Sequence, residues 1–272
     1  MHFTQKTVRG GVGINLEEIY NQEKNNLSQL ITNDPVEFVH RYRNKKDIEI
    51  AGFLASQFAY GKIDVFKKFL ENMFLCMGDN PYDFIANGNF EQLKGLYYRF
   101  QKGDEIIQLF NVLKRVLNDF GSIGDMVRHF YKKDVRNALW KARDYLFEES
   151  DDLKFFFPKS LPSNPMKRWN LYIRWMVRKD DIDVGLWNFI NKKDLIIPLD
   201  THLFKIGRCF NWTQCRTPSY KAAVEITNAL KLFSPEDPLK YDFFLCHKVG
   251  IAAGCTGQRN ENCRKTCIIY KR

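Results

Sequence analysis

NPMKRWNLYIRWMVRKDDIDVGLWNFINKKDLIIPLDTHLFKIGRCF, Asn164 to Phe210, is the stretch whose reading decides the fold. It begins as a helix that Asn164 or Ser163 can cap, with Pro165 in the first turn, where a missing N–H costs nothing. Trp169, Tyr172, Ile173 and Met176 recur at helical spacing and predict a core-facing stripe. Lys167, Asn170, Arg174 and Arg178 fall about one turn apart on another face. A polar loop leads to Leu195-Ile196-Ile197-Pro198-Leu199, apolar and extended ahead of its proline. Asp200 then opens a second helix marked by Leu203, Ile206 and Phe210.

Outward from this stretch the text is helical on both sides. Toward the N-terminus, periodic segments run over 16–31, 35–42, 47–60, 63–77, 82–85, 90–98, 103–120, 123–131 and 135–147. Tyr60-Gly61-Lys62 breaks one segment as a glycine stop should. Toward the C-terminus, segments over 219–233 and 239–251 follow, the first capped by Ser219. No strand is expected beyond Ile196-Ile197, and no repeat appears. The reading is an all-α protein. A loose arm covers 1–14, a helical domain 15–245 and a cysteine-rich tail 246–272, with an acidic, proline-broken loop near 148–165 as the hinge.

The chain has 42 Lys and Arg against 32 Asp and Glu, a net charge of +10, and 15% aromatic residues. A basic, aromatic-rich chain suits a polyanion, most simply nucleic acid. The first residues lack the apolar segment of a signal peptide, and no run reaches the roughly 18 apolar residues that cross a bilayer. The expectation is therefore a cytoplasmic monomer with no membrane partner.

Leu199-Asp200-Thr201-His202-Leu203-Phe204-Lys205 resembles the signature at a helix start in the helix–hairpin–helix DNA glycosylase superfamily, which includes endonuclease III and the 8-oxoguanine glycosylases. DPVEFVHRY, EIAGFLASQFAYGK, KRWNLYIRWMVR and IIPLDTH also look like a bacterial family placed beside that superfamily, a resemblance spanning about 34–250. The resemblance maps the superfamily's essential aspartate onto Asp200. Lys167, well upstream at a helix start, is similar in placement to the lysine of archaeal 8-oxoguanine glycosylases. The chain departs from the pattern just before Asp200, where a phosphate-gripping hairpin is usual. Lys179-Asp180-Asp181-Ile182-Asp183-Val184-Gly185-Leu186 stands there instead.

The resemblance implies two lobes with a cleft between them. It also implies a DNA repair glycosylase and lyase that removes an oxidised purine such as 8-oxoguanine from damaged duplex. A neutral lysine amine, Lys167, attacks C1′ and leaves a Schiff base, while Asp200 stabilises the developing cation. Arg168, Arg174, Arg178, His202 and Lys205 become candidate DNA contacts, and Trp169, Trp175 and Trp187 candidates for stacking on an extruded base. Taken singly these residues have plainer readings. An aspartate before a helix is an N-cap, a lysine on a helix face is solvated, and tryptophans fill cores. The alternative function is a catalytically silent nucleic-acid-binding protein on the same helical scaffold.

Seven cysteines complete the reading. Cys76, Cys209 and Cys215 are scattered and read as small buried hydrophobes. Cys246, Cys255, Cys263 and Cys267 crowd the tail, where a reducing compartment favours a metal over disulfides. The tail is similar in position to the iron–sulfur loop of endonuclease III, which implies a [4Fe–4S] cluster. Four thiolates suit zinc equally well.

Overall fold

A computed structural model describes residues 15–147, 153–158 and 161–270. The helices are α1 Leu16–Glu23, α2 Lys45–Gln57, α3 Ile63–Met77, α4 Pro81–Asn87, α5 Gly103–Phe120, α6 Ile123–Phe130 and α7 Val135–Phe147. They continue with α8 Lys167–Val177, α9 Thr201–Cys209, α10 Tyr220–Lys231, α11 Asp242–Phe244 and α12 Glu261–Thr266. A π-helix, Leu245–Ala252, follows α11 directly. The protein is therefore mostly helical. Among the described residues its single sheet is a hairpin pairing Tyr97–Tyr98 with Gln101–Lys102. In place of the helix expected over 90–98 stand a single 3-10 turn, Glu91–Leu93, and the first strand of that hairpin, and Ile196-Ile197 forms no strand. The arm over 1–14 lies outside the described residues.

The chain divides into two compact units, one Leu30–Leu195, the other the segment up to Gln29 together with Ile196 onward. The boundaries fall between Gln29 and Leu30 and between Leu195 and Ile196. Part of the acidic loop near 148–165, namely 148–152 and 159–160, lies outside the described residues. What is described is pinned inside the first unit. Phe156 and Phe157 are buried. Arg143 Nε donates to the carbonyls of Phe157 and Pro158, both at 3.0 Å, and Arg168 reaches those of Phe155 and Phe156. Two cations on neighbouring helices thus hold an aromatic segment that the sequence presents as a hinge.

In the Leu30–Leu195 unit α2 is the central element. Its buried residues run from Asp47 to Gln57 without a gap, so it has no solvent face. Small residues make that possible. A Cβ on Gly52 would stand 2.8 Å from Met176 Cε and 3.3 Å from a Tyr172 ring carbon, so α8 lies directly on this glycine. Glu49 is buried with α2. It accepts from Trp187 Nε1 at 2.7 Å and from the backbone N–H of Gly124, in the first turn of α6, at 3.1 Å. Burial raises its pKa against the pull of those two donors. In the other unit, α9 packs on the π-helix and α10 on the turn before α11.

Candidate functional site

α8 starts at Lys167, two residues later than the expected capping residues allow. Met166 is the N-cap, with left-handed backbone (φ 49°, ψ 45°), and Asn164 Oδ1 accepts its N–H at 2.9 Å. A non-glycine residue in that region carries backbone strain on the order of 1 kcal/mol, here just before the candidate nucleophile. Lys167 is half-buried, and its Nζ donates to Ala59 O at 3.4 Å. No carboxylate pairs with it among the described residues. Arg168 NH1 donates to Gln57 O at 3.1 Å. Both cations therefore sit at the carbonyl-rich C-terminal end of α2, where the helix dipole favours them. Burial pushes the Arg168 guanidinium down to about 10.

Arg174 and Arg178 do not form the cationic surface that their spacing suggests. Their side chains are 4% and 5% exposed, and they flank the 1%-exposed carboxylate of Asp183. Arg174 Nε lies 3.2 Å from Asp183 Oδ1, Arg178 NH1 pairs with Oδ2, and Arg178 NH2 reaches Asp180 Oδ2 at 2.8 Å. Burial pushes the Asp183 carboxyl up, to about 6, while Arg174 and Arg178 pull against it. These two arginines are internal ion-pair partners, so their assignment to phosphate is corrected. The cause is the acidic turn after α8. It folds back so that Val184 and Gly185 N–H donate to Trp175 O, at 3.0 and 3.1 Å, and Trp187 N–H to Met176 O at 2.7 Å. The last carbonyls of α8 are satisfied this way. Gly185 (φ +64°) makes the turn possible; a Cβ there would stand 2.5 Å from Lys179 Cβ.

The glycosylase resemblance would lead one to expect a phosphate-gripping hairpin at this turn. Its amides are already engaged: Asp180 Oδ1 accepts from Ile182 N at 2.9 Å and from Asp183 N at 2.8 Å. Burial works against the Asp180 carboxylate, yet Arg178 and those two N–H groups outweigh it and lower its pKa. An anionic turn with its donors occupied is poorly suited to hold phosphate.

The tryptophans are corrected too. Trp169, Trp175 and Trp187 are core residues at 3%, 0% and 4% exposure, and none offers a stacking face to a base. Trp169 belongs to the core-facing stripe read from spacing, Trp175 is buried with it because α8 has no exposed residue over 169–176, and Trp187, beyond α8, donates to Glu49.

In the second unit Asp200 is the N-cap of α9. Its Oδ1 accepts from Leu203 N at 2.7 Å. Ile197 N donates to Thr227 Oγ1 at 3.1 Å, which fixes the extended approach to the cap. His202 packs against the π-helix; a Cβ on Gly250 would stand 2.7 Å from His202 Cβ. Lys205 is half-buried beside Gly257. Cys246, on the π-helix, places its Sγ 3.8 Å from Asp200 Oδ2.

That position separates Cys246 from the tail cysteines. Cys209, the last residue of α9, stands with Cys255, Cys263 and Cys267 around a cavity of about 30 Å³. Cys209, far from the tail and in apolar company, was missed by the spacing of the tail cysteines. Its place at the end of the helix that Asp200 opens was the available signal.

The model of a family described as "Protein of unknown function (DUF2400)" matches residues 34–252. No curated protein and no solved structure matches the chain. Among the described residues no helix is long and apolar enough to cross a membrane.

Proposed function

The chain belongs to the DUF2400 family, and from the setting of Lys167 and the sequence around Asp200 we propose that it is a DNA repair glycosylase with lyase activity on an oxidised purine. The observation that carries this reading is the setting of Lys167. It opens α8 behind a strained residue, half-buried, with its amine on a neutral carbonyl and no carboxylate partner among the described residues. Asp200, in a sequence resembling the glycosylase signature, supports it from the head of α9.

In this reading the Lys167 amine bonds to C1′ of the damaged nucleotide as the bond from C1′ to the base breaks. The base departs with the electron pair and takes up a proton. Loss of the amine's proton and opening of the sugar leave a Schiff base, from which elimination of the 3′ phosphate nicks the strand. Asp200 stabilises the positive charge building on the sugar and takes the proton released by the lysine. One observation favours the silent scaffold instead: both residues also have structural roles, Asp200 as a cap and Lys167 on the end of α2.

Borohydride trapping on duplex carrying 8-oxoguanine or an abasic site separates the two. Wild type is expected to form a covalent adduct. Lys167→Ala and Lys167→Gln are expected to lose it while still binding duplex. Asp200→Asn keeps a capping side chain and is expected to slow base release by a hundredfold or more, on the order of the loss of one transition-state contact. A wild type that neither traps nor releases base defeats the proposal, and an adduct surviving in Lys167→Ala removes Lys167 from the role.

A further inference from the structure

We propose that Cys209, Cys255, Cys263 and Cys267 form one four-thiolate metal centre that ties the end of α9 to the C-terminal segment, and that Cys246 is not among its ligands. The inference is independent of the chemistry assigned to Lys167 and Asp200. It rests on placement. Cys209 ends α9, Cys255 lies in the loop after the π-helix, and Cys263 and Cys267 stand one turn apart, with Cys267 N donating to Cys263 O at 2.9 Å. All four line the same cavity, which Phe210 and Tyr270 help to wall. Cys246 does not line it.

The segment around the cavity is built to hold its thiols in place. Arg259 Nε donates to Cys209 O at 3.2 Å, fastening the loop to α9. Asn260 caps α12 through Cys263 N at 3.2 Å, and Thr266 Oγ1 reaches Ala253 O at 3.4 Å. Four thiolates around a divalent ion or a [4Fe–4S] core carry net negative charge. Arg259, fastened to Cys209 O, and Lys205, beside Gly257 two residues after Cys255, place cations next to the cavity.

As the side chains stand, no three donors already converge at coordinating distance among the described residues. Gly254 and Gly257 hold left-handed backbone (φ +61° and +88°) on either side of Cys255. Rotation between staggered wells re-aims each sulfur about its own Cβ. An all-sulfur set of four suits tetrahedral zinc and the iron–sulfur cubane alike.

The test is metal analysis of the full chain purified without oxygen, beside its Cys209→Ser and Cys246→Ser variants. One zinc per chain in colourless protein supports the site as a zinc centre. Four irons per chain in brown protein, with broad absorbance near about 400 nm, support it as a cluster. In either case Cys209→Ser is expected to lose at least tenfold in bound metal, and Cys246→Ser to keep it. Because Cys209→Ser can fail to fold, the second readout is alkylation of native wild type, located by mass spectrometry before and after chelation. Protection of Cys209, Cys255, Cys263 and Cys267 that chelation removes supports the site. Metal-free protein with those four thiols reactive, or metal retained in Cys209→Ser and lost in Cys246→Ser, overturns it.

Discussion

Replacing Arg178 with alanine tests whether this residue is a structural ion or a phosphate contact. The guanidinium is 5% exposed and bridges Asp183, 1% exposed, and Asp180, 30% exposed. Removing one partner of a buried pair costs about 3–5 kcal/mol, because the remaining charge is left without compensation. Asp180 can rehydrate and Arg174 still faces Asp183, so the low end, about 3 kcal/mol, is the expected loss. For a chain of this size that lowers Tm by on the order of 10 °C.

The pH dependence carries a second signature. Burial already places the Asp183 carboxyl at about 6, above the roughly 3.9 of an unfolded aspartate. Without Arg178 it rises further. Between the unfolded and folded values the folded state holds the extra proton, so this group's contribution to stability grows as pH falls. In wild type that gain starts near pH 6; in Arg178→Ala it starts at higher pH. Urea denaturation of both proteins at pH 8 and pH 5 should therefore show a smaller difference at pH 5. Duplex binding supplies the opposing readout. A phosphate contact contributes about 0.9 to the slope of log K against log salt. Arg178→Ala is expected to leave that slope unchanged. A stability change below about 0.5 kcal/mol, the usual range of an exposed substitution, together with a slope reduced by about 0.9, would refute the reasoning.

Two further substitutions probe the two units separately. Glu49 has a pKa raised by burial, so its folded state binds a proton more readily than its unfolded state and its contribution to stability grows as pH falls from neutral toward the usual carboxylate range. Glu49→Gln should abolish that slope in chemical denaturation, and should leave Trp187 Nε1 or Gly124 N without an acceptor, at a cost of about 1–3 kcal/mol; an unchanged slope would remove Glu49 as its source. Gly250→Ala places a methyl 2.7 Å from His202 Cβ, an atom fixed to the backbone of α9, and should cost about 1–3 kcal/mol by overpacking. A neutral Gly250→Ala in thermal denaturation would mean that α9 and the π-helix have room to separate.

The helices were legible wherever periodicity and punctuation agreed. The spans 63–77, 103–120 and 135–147 match α3, α5 and α7, each a continuous amphipathic run. Where the pattern was helical but the closure was not, the reading failed. Tyr97–Lys102 folds into a hairpin through the left-handed Arg99, a backbone choice that no side-chain period reveals. Arg174 and Arg178 failed for a different reason. Helical spacing put both on one helix face, but α8 ends at Val177, Arg178 is its extended C-cap, and Asp180 and Asp183, only a few residues on, return to meet both arginines. Periodicity identifies which residues share a face and is silent on what folds back to cover it. Cys209 escaped for the same reason at longer range, since only the placement of the tail brings it to Cys255.

Asp200 is an observed cap with a proposed catalytic role, which makes it a sharp test of mechanism. Its Oδ1 accepts from Leu203 N, which is sufficient reason for an aspartate at the head of α9. Asparagine retains that acceptor and caps about as well, so Asp200→Asn should leave the fold near its wild-type stability under either reading. What asparagine cannot supply is a full negative charge beside a developing cation, or a base for the lysine's proton. A loss of base release without a loss of stability would therefore isolate the charge. The same variant with unchanged release would leave the carboxylate as a cap alone.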